Sequence, residues 1–203
     1  MATSSVEEWN FLYWLFTGFS VAIAILVYVW LIGAGIIYRR KAGAKPSKHD
    51  LQAGVFPYHR GSRTIEVGWT LASFVVAMVL TWFSIVGLEV YDAVPEEGTT
   101  IVVSAHQFGW TFTYENGTEV NDDLQLTCGV PTKFLVSSTD VVHAFFIPAF
   151  KIKADAFPDR VNVAWTTPGE TSPEEGFNLQ CAEYCGNGHS HMTATVHTAG
   201  SCG

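Results

Sequence analysis

Charge is missing from two long stretches of this chain. The 28 residues from Phe11 to Tyr38 carry no formal charge, and neither do the 22 residues from Val67 to Leu88. At about 1.5 Å of helix per residue, either run crosses the roughly 30 Å hydrocarbon core of a bilayer. Buried core helices of a soluble domain are seldom so long, so both runs are read as membrane spans. Basic residues are also missing ahead of Arg39. A cleaved signal peptide begins basic and has a short apolar run, whereas this segment opens on Glu7 and Glu8 and runs longer, which makes it a retained anchor. No transit peptide precedes it, which favours the plasma membrane of a prokaryote. No long helical period and no internal repeat follow Leu88, so the second half is neither a bundle nor a solenoid.

What charge there is divides by segment. Arg39–Glu66 holds seven basic residues (Arg39, Arg40, Lys41, Lys45, Lys48, Arg60, Arg63) against Asp50 and Glu66. Basic loops stay on the inner side of a membrane, which puts the N-terminus and everything after Leu88 outside. Glu89–Gly203 has 4 basic and 15 acidic residues, a balance of -11 within the whole-chain net charge of -8. Such a surface attracts a basic partner and serves solubility equally well. The expected division is an anchoring segment, 1–91, with spans at about 11–38 and 67–88, and an outer domain, 92–203. Short alternating runs fill the outer domain: Thr100–Ala105, Gln107–Tyr114, Lys133–Ser138, Val141–Ile147, Val161–Trp165, Phe177–Gln180 and Thr193–Thr198. Gly, Pro, Asn and Asp separate them, which predicts a β-sandwich or Greek-key barrel. Asn116-Gly-Thr118 matches a glycosylation sequon.

The chemistry concentrates in Cys181-Ala-Glu-Tyr-Cys185-Gly-Asn-Gly-His189-Ser-His-Met192. Thiolate, imidazole and thioether together suit copper. His143, in Asp140-Val-Val-His-Ala-Phe-Phe-Ile-Pro, offers a further imidazole. One cysteine would make a mononuclear site, while two thiolates can bridge two ions. A disulfide and a zinc site are the alternatives, and neither has a use for Met192. Cys128 and Cys202 lie outside the motif, and the sequence leaves their pairing open.

This pattern, Cys-x-Glu-x-Cys-x3-His-x2-Met after an Asp-Val-x-His-Ala-Phe segment, resembles subunit II of cytochrome c oxidase. The resemblance implies a two-helix transmembrane hairpin followed by an all-β cupredoxin-like Greek-key barrel. It implies a dinuclear copper centre, with Cys181 and Cys185 as bridging thiolates and one imidazole each from His143 and His189. Met192 and the backbone carbonyl of Glu183 would complete the ligands, and the Glu183 carboxylate would reach a magnesium ion shared with subunit I. Ala105-His-Gln-Phe-Gly-Trp resembles the region where the family receives electrons. Phe108 stands where that family has tryptophan, and Trp110 matches the second aromatic, so both are candidates for receiving electrons. Glu66, in Glu66-Val-Gly-Trp69-Thr70, resembles the mouth of a proton path. Lys151–Arg160 matches a segment expected to lie against subunit I, with Asp159 replacing a glycine. The implied function is electron transfer from a soluble donor, cytochrome c or a small blue copper protein, through copper to haem in subunit I. There oxygen would be reduced to water with proton pumping. Haem is expected in the partner only, because the spans hold no haem-ligand set. Expected partners are subunit I, further membrane subunits and membrane lipid, with no nucleic acid. The rival readings are a copper-bearing chain like those of nitric oxide or nitrous oxide reductases and a disulfide-bonded receptor.

A Ser47→Cys chain in intact cells tests the charge argument. An impermeant thiol reagent applied from outside should leave position 47 unlabelled, and labelling there would reverse the orientation.

Overall fold

The computed structural model describes residues 5–37, 39, 61–200 and 202. Two helices come first, α1 (Ser5–Ile37) and α2 (Arg63–Asp92). Both are longer than the apolar runs that predict them. Glu7 and Glu8 begin α1, and Arg63, Glu66, Glu89 and Asp92 extend α2 at both ends. Acidic residues are favourable in a first helical turn, and charged side chains at either end can reach water. The basic loop expected on the inner side falls mostly at 40–60, outside the described residues, as does the predicted span end at Tyr38.

The chain divides into two compact units, Phe11–Val86 and Met1–Asn10 together with Gly87–Gly203. In the first unit the helices expose their apolar side chains. Leu26, Trp30 and Ile36 on α1, and Trp69, Phe74 and Trp82 on α2, are all at least 60% exposed. Helices this long and this apolar are membrane anchors by length and composition. Phe11 and Phe83 meet edge to face, 5.6 Å between centroids.

The second unit is a β-sandwich of two five-stranded sheets. Its strands are β1 (Thr99–His106), β2 (Gly109–Tyr114), β3 (Glu119–Asn121), β4 (Asp123–Thr127) and β5 (Thr132–Ser138). They continue as β6 (His143–Ile147), β7 (Ile152–Ala156), β8 (Asn162–Thr166), β9 (Phe177–Cys181) and β10 (Thr193–Ala199). One sheet runs β3-β2-β1-β5-β8 and the other β4-β10-β9-β6-β7. The pairs β1/β5 and β10/β4 are parallel, so consecutive strands cross between sheets and the connections are of the Greek-key kind. Alternation decides the inner faces. Ile101, Val103 and Ala105 from β1, and Phe134 and Val136 from β5, point inward. They meet Leu124, Phe145, Ile147, Leu179 and Val196 of the opposite sheet in one core. Trp110 and Phe112, adjacent members of β2's inward row, are fully buried in it.

Seven strands appear near their predicted places, with two runs shortened at their starts. Strand β6 begins at His143 rather than Val141. The run Gln107–Tyr114 is strand only from Gly109, because Gln107 and Phe108 form the turn between β1 and β2 (His106 pairs with Gly109). Three strands were not legible. In β4 the alternation of Leu124 and Leu126 hides behind the turn signal Asn121-Asp-Asp, β3 is three residues long, and β7 alternates apolar residues with Lys153 and Asp155. Asn116 sits in the turn after β2, where its Oδ1 accepts the Thr118 N–H at 2.9 Å.

Cys128 and Cys202, open in the sequence, form a disulfide across 74 residues of chain. A cross-link over such a loop stabilises by restricting the unfolded chain, by about 2 to 4 kcal/mol. Replacing both by serine should lower the unfolding free energy of the outer domain by about that amount without loss of metal. Unchanged denaturant midpoints would contradict a stabilising role.

Candidate metal centre

Neighbouring strands bring distant residues together. β6 and β9 pair antiparallel with Phe145 opposite Cys181, and the Ala182 N–H reaches the Ala144 carbonyl at 2.9 Å. That register sets Cys181, at the end of β9, beside His143 at the start of β6. β10 pairs with β9 on the other side, and the Cys181 N–H donates to the Met192 carbonyl at 3.0 Å. Between them the chain leaves the sheet, turns through Glu183–Gly188 and makes one 3₁₀ turn at His189–His191. Cys185 and His189 lie on this loop.

The six candidate ligands converge. The Cys181 and Cys185 sulfurs are 3.8 Å apart, and both thiols are free. His143 Nδ1 is 3.8 Å from Cys181 Sγ, and His189 Nδ1 is 3.6 Å from Cys185 Sγ. Met192 Sδ lies 3.7 Å from Cys185 Sγ, and the Glu183 carbonyl 3.1 Å from Cys181 Sγ. Each sulfur therefore has an imidazole of its own and one weaker donor. Donor atoms of His143, Cys181 and Cys185 lie within 4.8 Å of one another. Two sulfurs, each about 2.3 Å from a shared tetrahedral ion, would stand roughly 3.8 Å apart, so the spacing fits thiolates that share metal. His143 and Met192 are fully buried, Cys181 and Cys185 nearly so, and His189 is half-buried.

Burial, with the Cys181 thiol beside it, pushes the Cys185 thiol up to about 11. Metal binding at this thiol therefore displaces a proton. Asp140 anchors the other side. Its Oδ1 accepts the His143 Nε2–H at 2.8 Å, which leaves Nδ1 as the nitrogen facing the sulfurs. Burial raises the Asp140 carboxyl, but hydrogen bonds from His143, the Gln107 N–H and the Val141 N–H outweigh it and hold it down at about 2. Asp140 was quoted in the sequence motif without a role. Its spacing, three residues before a ligand histidine, is the signal that could have found it.

The remaining candidates separate. Phe108 is 42% exposed, and its ring lies over the ligand loop, so that a Cβ at Gly188 would run into it. Trp110 is fully buried, edge to face with His143 at 6.3 Å between centroids and with Phe145 at 5.8 Å. A docking protein can touch Phe108 and cannot touch Trp110. The Glu183 side chain is exposed, as is Tyr184, whose ring lies 5.8 Å from that of His189. Glu66 belongs to the other unit, in the first turn of α2, and is exposed. His191 is exposed, and His106 and His197 are half-buried.

A Greek-key sandwich with two thiols, two imidazoles and a thioether gathered at the ends of adjacent strands, following two apolar helices in the sequence, defines a membrane-anchored cupredoxin-like domain. Residues 116–199 match the family model described as cytochrome c oxidase subunit II, periplasmic domain. Cytochrome c oxidase subunit 2 of Alkalihalophilus pseudofirmus is 28% identical over 188 residues, covering 88% of this chain and 53% of that one. Heme-copper oxidase subunit 2 of Aeropyrum pernix is 42% identical over 106 residues, covering 50% of this chain and 44% of that one. The chain thus spans about half the length of these two curated relatives. Among solved structures, the periplasmic domain of subunit II of cytochrome oxidase from Bradyrhizobium japonicum is 27% identical, with a TM-score of 0.49, over 52% of this chain and 87% of that one. Over residues 116–199 the outer domain is thus similar to the periplasmic domain of cytochrome c oxidase subunit II.

Asp140→Asn removes the carboxylate that holds His143. Copper affinity should fall by about 10- to 100-fold in competition with a chelator. An unchanged affinity would show that the strand alone orients the imidazole.

Proposed function

We propose that this chain is the electron-receiving subunit of a haem–copper oxidase, with an anchor at 1–91 and a metal domain at 92–203. One observation carries the reading: two buried thiols stand 3.8 Å apart, each with its own imidazole. That set suits a pair of coppers bridged by Cys181 and Cys185, with His143, His189, Met192 and the Glu183 carbonyl as the other ligands. A bound copper pair would take up and pass on single electrons. The protein's part is to hold soft donors in one arrangement for both oxidation states, in a site nearly closed to water. Adjacent strands fix His143, Cys181 and Met192, Asp140 sets the face of the His143 ring, and Phe108 caps the loop that carries Cys185 and His189.

In this proposal the partner subunit I holds the haem and reduces oxygen to water with proton pumping. The exposed Glu183 carboxylate, beside a ligand carbonyl, is assigned to a magnesium ion shared with that subunit, since a hard cation takes oxygen donors. Glu66 is assigned to the mouth of a proton path on the inner side. Phe108 is assigned to electron arrival, because it is exposed and its ring covers the ligand loop, while Trp110 packs behind His143. The donor is a soluble redox protein, cytochrome c or a small blue copper protein. The basic segment 39–66 is assigned to the inner face of a prokaryotic plasma membrane, with the metal domain outside.

Metal analysis and electron-paramagnetic spectra test the core of this reading. The purified chain should bind two coppers that share one unpaired electron, and Cys181→Ser or Cys185→Ser should abolish that signal. One zinc, or a folded domain that takes no metal, would overturn it. Glu183→Gln should retain both coppers, because the carbonyl survives, and should weaken magnesium in the assembled complex. Copper loss equal to that of a cysteine variant would reassign Glu183.

A further inference from the structure

The two halves of the donor set are held differently. His143 and Cys181 are fixed by strand pairing between β6 and β9. Cys185 lies beyond the sheet, on a loop with two glycines and a 3₁₀ turn, where no ladder sets its position. The turn between β1 and β2, in the opposite sheet, reaches across to this loop. Gln107 Nε2 donates to the Cys185 carbonyl at 2.5 Å. The backbone N–H of the same residue donates at 2.7 Å to Asp140 Oδ2, and Asp140 Oδ1 holds His143. The amide sits close on the loop: Gly186 has φ +130°, and a Cβ there would stand 2.9 Å from Gln107 Nε2. The next residue, Phe108, covers Gly186 and Gly188.

We infer that Gln107 is a positioning residue, which locks the Cys185–His189 loop to the Asp140–His143 arm and so sets the spacing between the two thiols. One side chain and its own backbone N–H connect both ligand segments across the two sheets. The glutamine side chain has the length for this link. Asparagine is one methylene shorter, and leucine has no donor and leaves a carbonyl unpaired. A loop held before metal arrives needs little rearrangement when metal binds or changes oxidation state, which is what rapid electron exchange requires. The consequence for electron transfer rests on the copper reading above, whereas the lock itself does not.

Hydrogen exchange on the full chain, in detergent and stripped with a chelator, tests the lock without metal. In Gln107→Leu, peptides covering 183–188 should exchange at least tenfold faster than in the parent chain, while peptides covering 101–105 of the core stay unchanged. With copper added, the same variant should still bind metal but give an altered hyperfine pattern, because the two halves of the site no longer match. Should the leucine variant fail to fold, as the core peptides would reveal, Gln107→Asn serves for the same comparison. Unchanged loop exchange in a folded variant would overturn the inference, as would a parental hyperfine pattern in its copper form. If the parent chain binds no copper pair, the functional reading fails while the exchange comparison still decides the role of Gln107.

Discussion

The structure turns on the burial of two thiols side by side at the edge of a β-sandwich. Sulfurs 3.8 Å apart in a nearly dry pocket are poorly disposed to ionise, and Cys185 is pushed up to about 11 by that burial and by its neighbour. Two thiolates so close would repel one another strongly at low effective dielectric. A multivalent soft cation reverses that balance and makes the same proximity favourable. Much of the site's surroundings can be understood as holding the sulfurs in a geometry that suits metal. Pairing of β6 with β9 sets Cys181 against His143, pairing of β9 with β10 brings Met192 underneath, and the β1–β2 turn closes on the remaining loop.

That arrangement uses both sheets. His143 and Cys181 come from the sheet of β6, β9 and β10, and Cys185 and His189 from the loop joining β9 to β10, whereas the turn that grips this loop comes from the sheet of β1 and β2. The core between the sheets therefore does more than stabilise. Phe134, Phe145 and Trp110 fix the distance between the faces, with Phe134 and Phe145 5.1 Å apart and Trp110 against both Phe145 and His143. The tryptophan that the sequence offers for receiving electrons packs, fully buried, behind the candidate ligand His143. The residue that an approaching protein can touch is the phenylalanine two positions earlier.

Legibility in the sequence followed local signal. Absence of charge exposed both anchors, and their ends were missed because Glu7, Arg63 and Asp92 are as compatible with helix as the apolar residues beside them. Strands with Val, Phe and Thr in alternation were found, while β4 was hidden by the turn signal that leads into it and β7 by Lys153 and Asp155 on its outer face. Cys181, Cys185, His189 and Met192 lie within twelve residues and were readable as a set. Gln107 was not, since its contacts with Cys185 and Asp140 are made across 78 and 33 residues of chain, whereas Asp140 stands three residues before the histidine it holds. The Cys128–Cys202 bridge was open for the same reason: only the fold brings their Cα atoms to 5.1 Å.

In the proposed centre, two thiolates share two coppers. X-ray absorption at the copper edge addresses it most directly, because it reads the atoms around each copper. A copper pair so held should show a shell of bridging sulfur at about 2.3 Å, imidazole nitrogen, and a second copper as a near neighbour, with little change in these distances on reduction. A single copper with one short sulfur bond, or a metal–metal vector absent in fully loaded protein, would contradict it.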